Sequence, residues 1–392
     1  MDLLERISTH IDREWIASRT VELVQIPSLT MEEAEVCRCY GGMLEELGVE
    51  VERRQVSPGR DNLYARIRGS GGGPTLMLNG HLDTIPNGNC PPCCREGERI
   101  YGRGATDMKG GMAAILGAAR ALKLSGMQLK GDLLLTAVVG HEEPEAGKDG
   151  PWALIEDIKS GKLGCDAILI AEGPDALWVM SMGSMVFTIT LESDQGGRHT
   201  QYVPFGENPI RHLGEMIQRI HQFQRELDEG QVHPLAGAER IDLGIVEGGD
   251  YFNRTPLKCT LTGTRRWSPG RTAGEVRAEL EELAAPFARA GNLQLSVEMQ
   301  HEREPFETRK DDSIVQAAAR AYAQVVGEDV EYVGMRIVGD ANLYLPGTGL
   351  PTLYYGPSNE TAHADVEWVE IGRLERAAKI YALTAADYCG VK

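Results

Sequence analysis

Apolar and polar positions along the chain follow two periods, and the points where each period runs out are informative. Helical spacing covers residues 2–26 and 31–48. Two strand-like runs follow, Asn62–Arg68 and Thr75–Leu78, the second leading into Asn79-Gly80-His81. A helix rich in glycine and alanine (KGGMAAILGAARAL) is predicted from about Met108, directly after the Gly102-Arg103-Gly104 turn. Asp132–Val139 is a nearly continuous apolar strand that stops at Gly140. A helix over Trp152–Ser160 then leads to another apolar run, Ala167–Ala171, which ends at Glu172. Continuous apolar strands separated by helices predict a mixed, mostly parallel sheet flanked by helices, with ligands gathered at the carboxyl ends of its strands.

From about Ser181 the pattern changes. A strand over Met185–Glu192, a long amphipathic helix over Pro209–Leu227, strands near Ile241–Val246 and Leu257–Thr264, a second helix over Ala273–Ala290 and a strand over Leu293–Gln300 predict two helices on an antiparallel sheet. After Glu304-Pro305-Phe306 the first pattern returns, with a helix over Ser313–Val326 and a short strand at Thr352–Tyr355. The expected architecture is an α/β catalytic domain formed by residues 1–181 and 300–392, interrupted by an α+β lid or dimerisation domain over 182–299. No internal repeat or low-complexity linker is evident.

Composition narrows the function. A chain of 392 residues is long enough for two cores, and 42% apolar with 25% charged residues matches an ordinary soluble globular protein. No apolar run is long enough to span a bilayer, so no membrane partner is expected. The N-terminal MDLLERISTHIDREWIASRT lacks the basic, apolar and cleavage regions of a signal peptide, so no export is expected either. Fifty-eight acidic against 40 basic residues give a net charge of −18, which repels a phosphate backbone and argues against nucleic acid. Eight cysteines in so long a chain are too sparse for a disulfide scaffold. A cytoplasmic protein with reduced thiols is the expectation.

The candidate chemistry lies where predicted strands end. His81-Leu82-Asp83 places two side chains on one side of an extended segment, so the Asp83 carboxylate is positioned to fix the tautomer of His81. Asp107 sits just ahead of a helix, where an N-capping aspartate would also sit. Glu142-Glu143 follows a strand, and adjacent carboxylates pointing to different partners can divide two jobs between them, one binding metal and one taking a proton from water. Glu172 closes a buried apolar strand, and His363 lies in a loop after a strand and a Gly-Pro turn. Two imidazoles with several carboxylates, one of them shared, are what a pair of divalent metals requires.

Taken together, Gly80-His81-Leu82-Asp83-Thr84, Tyr101-Gly102-Arg103-Gly104-Ala105-Thr106-Asp107-Met108-Lys109-Gly110-Gly111, Glu142-Glu143, Glu172-Gly173-Pro174 and Tyr355-Gly356-Pro357 with His363 resemble the zinc-dependent M20 peptidase family over nearly the whole chain. That family includes aminoacylases, acetylornithine deacetylases, succinyl-diaminopimelate desuccinylases and glutamate carboxypeptidases. The resemblance implies two Zn2+ ions, with Co2+ or Mn2+ as alternatives. One ion would be held by His81, Asp107 and Glu172, the other by Asp107, Glu143 and His363, with Asp107 bridging. Glu142 would be the general base and Asp83 the orienter of His81. In the inserted domain, Gly196-Gly197-Arg198-His199-Thr200 implies that His199 steadies an oxyanion, commonly from the partner subunit of a homodimer formed through this domain. The segment Gly248–Pro256 implies Asn253 as a substrate contact. Arg266, spaced as in the family's Arg-x-x-Pro, and Arg336, ahead of Gly339-Asp340, are candidates to grip a substrate carboxylate, and each would serve equally as a surface ion pair.

The chain departs from the family pattern at three places. His141 stands where an acidic residue usually precedes the glutamate pair, Thr264 stands two before Arg266 where aspartate is common, and Asn89-Cys90-Pro91-Pro92-Cys93-Cys94 replaces a Trp- or Pro-Phe-containing stretch. A loop of free thiols is the expectation for the last. The expected function is hydrolysis of the amide bond of a small N-acyl amino acid or related molecule. The alternatives are an exo- or dipeptidase, an amidohydrolase for an unusual aromatic amide, and a non-catalytic metal-binding relative.

Overall fold

The computed structural model describes residues 3–143 and 146–392; residue 2, the first of the expected N-terminal helix, lies outside them. The chain divides into two compact units, one comprising Met1–Val179, Thr308–Val333 and Leu343–Lys392, the other Met180–Glu307 and Gly334–Asn342. The sequence pattern assigns 1–181 and 300–392 to the catalytic domain, whereas residues 180–181, 300–307 and Gly334–Asn342 fall in the smaller unit. There the Met182 N–H donates to the Met335 carbonyl (3.0 Å) and Asn342 Nδ2 donates to the carbonyls of Met182 (3.2 Å) and Glu304 (2.7 Å). Such side-chain and loop bonds leave no periodic signature.

In the larger unit four strands run parallel side by side in the order Leu133–Val138, Leu76–His81, Ala167–Ile170 and Thr352–Tyr354. Every residue of the four is buried, which is why they read as largely apolar runs without alternation. Their common direction brings the carboxyl ends to one edge, and His81, His141-Glu142, Glu172 and the loop bearing His363 all follow from that edge. Antiparallel strands Arg60–Ile67 and Val51–Ser57 extend the sheet beyond Leu133–Val138. Helices Arg13–Gln25, Ala34–Glu46, Lys109–Leu124, Asp149–Lys159, Ser313–Val326 and Ile371–Cys389 flank this mixed sheet. The expected N-terminal helix is interrupted after Ser8, because Asp12 caps a new helix by accepting the Trp15 N–H at 3.0 Å.

Two glycines set how closely the helix Lys109–Leu124 approaches the strand ends. A Cβ at Gly111 would lie 1.9 Å from the Ala171 carbonyl oxygen, and one at Gly80 would lie 2.2 Å from Met108 Cε. Backbone can therefore pass directly over the residues that carry His81 and Glu172.

The smaller unit is an antiparallel sheet in the order Arg240–Gly248, Lys258–Trp267, Gly183–Glu192, Gln294–Arg303. Helices Pro209–Glu229 and Ala273–Gly291 pack on the face that carries Phe187, Ile189, Leu261 and Trp267. Both helices start at capped positions, Asn208 on the Ile210 N–H and a reciprocal Thr272–Glu275 box. Among the described residues no helix is long and apolar enough to cross a membrane.

Candidate active site

The strand Leu76–His81 ends with the His81 imidazole fully buried. Its Nδ1 lies 3.0 Å from the Asp83 carbonyl oxygen and 3.6 Å from Asp83 Oδ1, and its Nε2 lies 3.1 Å from Asp107 Oδ1. The backbone carbonyl of Asp83 is thus the nearer acceptor for Nδ1–H, and Nε2 is the nitrogen that faces the carboxylates. The Asp83 carboxylate is itself occupied. It accepts the backbone N–H groups of His141 (3.0 Å) and Glu142 (2.8 Å) and the Thr30 hydroxyl (2.7 Å).

Asp107 precedes the helix Lys109–Leu124, and its peptide bond to Met108 is cis. Its backbone N–H and that of Thr106 donate to Glu367 Oε1 at 3.0 and 2.8 Å, and the buried Glu367 is paired with Arg103 at 2.7 Å. His363, held at a left-handed φ of 61°, brings Nε2 to 3.3 Å from Asp107 Oδ2 and 3.3 Å from Glu142 Oε1. A non-glycine residue in that region is uncommon and is tolerated where surrounding contacts impose it.

The segment before the glutamate pair is braced twice. The Gly140 N–H donates to Glu33 Oε1 at 2.9 Å, and buried Glu33 forms a two-bond pair with Arg60. Asp83 then takes the next two amides. The His141 ring stacks on His81 with centroids 4.1 Å apart and planes inclined by 9°. Glu143 donates its backbone N–H to Thr30 Oγ1 at 3.2 Å.

Electrostatics follow from this crowding. Burial alone would raise the Asp107 carboxyl, but hydrogen bonds from His363 and His81 hold it far below the usual carboxylate range. Burial of His81 opposes protonation, yet the hydrogen bond and charge of Asp107, with Asp83 and Glu142, hold its imidazole well above the ordinary value. Hydrogen bonds to Asp107 and Glu142 push His363 up to about 10. The carboxylates here demand positive charge, and in the protein alone the imidazoles supply it.

Among the described residues, two groups of three donors have all their ligand atoms within 4.8 Å of one another, His81–His141–Glu172 and His81–Asp107–Glu142. Nitrogen and oxygen donors without thiolate, at carboxyl-directed strand ends, fit divalent metals in an open, catalytic type of site. Of the residues expected from sequence, the structure brings together His81, Asp107, Glu142, Glu172 and His363; Glu142 rather than Glu143 is the member that touches His363. Sequence reasoning missed Thr30, Glu33, Arg103 and Glu367. The one signal for Glu367 was a lone carboxylate inside Val366-Glu367-Trp368-Val369.

A cavity of about 550 Å³ adjoins Thr84 and Ile85, walled by Ile26, Pro91, Cys93 and Lys109. Burial pushes the Lys109 amine down to about 8, and its Nζ donates to the Ile26 carbonyl at 2.7 Å. Cys90, Cys93 and Cys94 are free thiols, as are the other five cysteines.

In the smaller unit His199 is exposed, with Nδ1 accepting the Gln201 N–H (3.2 Å) and Nε2 lying 3.2 Å from the side-chain amide of Asn253. Arg266 is partly buried with Nη1 lacking a hydrogen-bond partner, and desolvation lowers its pKa. Arg336 Nε donates to the Ala236 carbonyl at 3.0 Å.

Residues 77–387 match peptidase family M20/M25/M40. A succinyl-diaminopimelate desuccinylase from Cereibacter sphaeroides is 28% identical over 382 residues, spanning 94% of this chain and 97% of that protein. Among solved structures, the aminopeptidase PepT of Bacillus cereus superposes with a TM-score of 0.81 at 19% identity, covering 97% of this chain and 100% of that one. The YXEP protein of Bacillus subtilis, a dinuclear metal binding peptidase of the M20 family, superposes with a TM-score of 0.73 at 18% identity, covering 95% and 97%.

Proposed function

The chain belongs to peptidase family M20/M25/M40 and is a metal-dependent hydrolase, and from that premise we propose that it is a di-zinc amidohydrolase acting on a small N-acyl amino acid. The observation that carries the reading is the convergence of His81, Asp107, His363 and Glu142, joined in that order by contacts of 3.1, 3.3 and 3.3 Å, at the carboxyl edge of the parallel strands. In this reading His81, Asp107 and Glu172 hold one ion, and Asp107, Glu143 and His363 the other. Bound there, the ions would lower the pKa of a water toward roughly 7 and polarise the scissile carbonyl.

Glu142 takes a proton at its carboxylate and delivers it to the leaving amine nitrogen, so that a carboxylate and an amine are released. The Asp83 carboxylate keeps Glu142 in place through its backbone amide. Glu367 holds Asp107 from behind through two backbone N–H groups. His199 is assigned the role of oxyanion donor, Asn253 that of substrate contact, and Arg266 and Arg336 that of receiving a substrate carboxylate. A cytoplasmic homodimer formed through the smaller unit belongs to the same proposal.

The desuccinylase relative favours an acyl substrate over a free peptide. A second reading is favoured by one contact: Glu142, not Glu143, sits against His363, which would exchange the roles of the two glutamates. Assay of zinc-loaded protein against a panel of N-succinyl and N-acetyl amino acids, dipeptides and tripeptides decides the substrate class. Preference for the acyl amino acids is expected; turnover confined to peptides would overturn the acyl reading, and hydrolysis of no amide by the zinc-loaded protein would overturn the enzymatic one.

A further inference from the structure

We propose that His141 is itself a metal ligand, completing with His81 and Glu172 a set of two imidazoles and one carboxylate that takes up the first ion and favours Zn2+ over Mn2+. The proposal rests on the metal-dependent reading of the site and adds a ligand to it.

Three observations carry it. The donor atoms of His81, His141 and Glu172 all lie within 4.8 Å of one another. Around a tetrahedral zinc with bonds of ~2.0–2.1 Å the donors stand ~3.3–3.5 Å apart, so the group needs to close by little more than an ångström. The two rings stack face to face, with centroids 4.1 Å apart and planes inclined by 9°, so the His141 imidazole lies directly against that of His81. His141 is also buried, at 8% exposure, and its backbone is fixed on both sides: the Gly140 N–H on Glu33, and its own N–H on Asp83 Oδ1 at 3.0 Å. A solvated loop histidine has neither restraint.

The chemistry follows from the donor types. Imidazole suits Zn2+ and Co2+, while carboxylate and water suit Mn2+. Two nitrogens beside Glu172 and the shared Asp107 therefore make a site more selective for zinc than the other side, where His363 is one nitrogen among carboxylates. The ions should load in sequence, with the first on the side of His141.

The test is metal binding, read without substrate. Zinc K-edge X-ray absorption of wild-type protein carrying one equivalent of Zn2+ counts imidazoles per ion; two are expected, and one overturns the proposal. Isothermal titration of His141→Phe, which keeps an aromatic ring against His81 and removes the nitrogens, is expected to weaken the first zinc event by more than about 100-fold, beyond the about 10–100-fold lost when a group merely supports a ligand. Mn2+ binding is expected to stay within about threefold. Unchanged zinc affinity in a variant whose circular dichroism matches wild type overturns the proposal. Failure of wild-type protein to bind any divalent ion would instead remove the metal reading of the whole site, a distinguishable result.

Discussion

Asp83 Oδ2 accepts the backbone N–H of Glu142 at 2.8 Å, while Oδ1 accepts that of His141 at 3.0 Å. A carboxylate expected from its spacing to act on His81 is therefore spent chiefly on the main chain of a different strand end. It holds two candidate site residues at once, with the Thr30 hydroxyl as a third donor. Both oxygens are engaged, and a fully buried carboxylate needs such donors in place of water.

Asp83→Asn keeps the shape and one acceptor but sets an NH2 against a backbone N–H. The expected loss is about 1–3 kcal/mol of stability, the scale for a buried donor left unsatisfied, together with weaker zinc binding. Thermal melts of metal-free protein check the first and zinc titration the second. Full stability with impaired turnover would show that Asp83 acts on His81 alone.

Glu142 and Glu143 differ in what they touch, so their alanine variants should differ in what they lose. With Glu142 as the base, Glu142→Ala keeps two zinc ions per chain and loses turnover by about 10²–10⁴, while Glu143→Ala retains one ion. Metal analysis after dialysis, paired with turnover, reads both. The reverse pattern would assign the ligand role to Glu142, in line with its contact to His363.

Much of this arrangement was legible in the sequence because it depends on strand ends. Largely apolar runs such as Leu133–Val138 gave away parallel strands, and the polar residues just beyond them had to lie on one edge. What stayed hidden depends on contacts between distant segments. Nothing nearby in the sequence singles out Glu33, which stands among Glu32 and Glu35, or Glu367; their partners, Gly140 and Asp107, lie 107 and 260 residues away. The helix Ile371–Cys389 is buried on several sides, with Ile380, Tyr381, Ala382 and Leu383 all inside in succession, so it lacks the one-sided stripe by which surface helices are recognised. The pairing of Trp368–Glu370 with Arg99–Tyr101 is too short to show a period.

Gly111 tests how tightly the helix must lie on the strand ends. A methyl group there would meet the Ala171 carbonyl oxygen at 1.9 Å, a backbone atom that cannot swing aside. Gly111→Ala should cost about 1–3 kcal/mol by overpacking. Zinc affinity should fall as well, because Ala171 precedes Glu172 and the same helix follows Asp107. A stable variant with unaltered zinc affinity would show that the helix can shift without disturbing either residue.

The raised imidazoles give the metal-free protein a pH dependence of definite sign. His363, lifted to about 10, binds its proton more tightly folded than unfolded, where the ordinary value is ~6.5. Its contribution to stability is therefore complete below ~6.5 and is lost as pH rises through about 10. His81, shifted in the same direction, acts with it. Lys109 works the other way: burial lowers its amine to about 8 from 10.5, so its unfavourable effect is relieved as pH rises across that interval. The His363 contribution is modest, because its side chain is half exposed and solvent screens the pair. Chelator-treated wild type should lose melting temperature from pH 7 to pH 10 relative to His363→Asn, which carries no titrating ring but shares Lys109. Zinc requires the unprotonated imidazole, so the stabilisation conferred by zinc should grow over the same range and its binding should release protons, measurable by calorimetry in buffers of different ionisation enthalpy. Parallel melting curves for the two metal-free proteins, with no proton release on zinc binding, would show that His363 is already neutral.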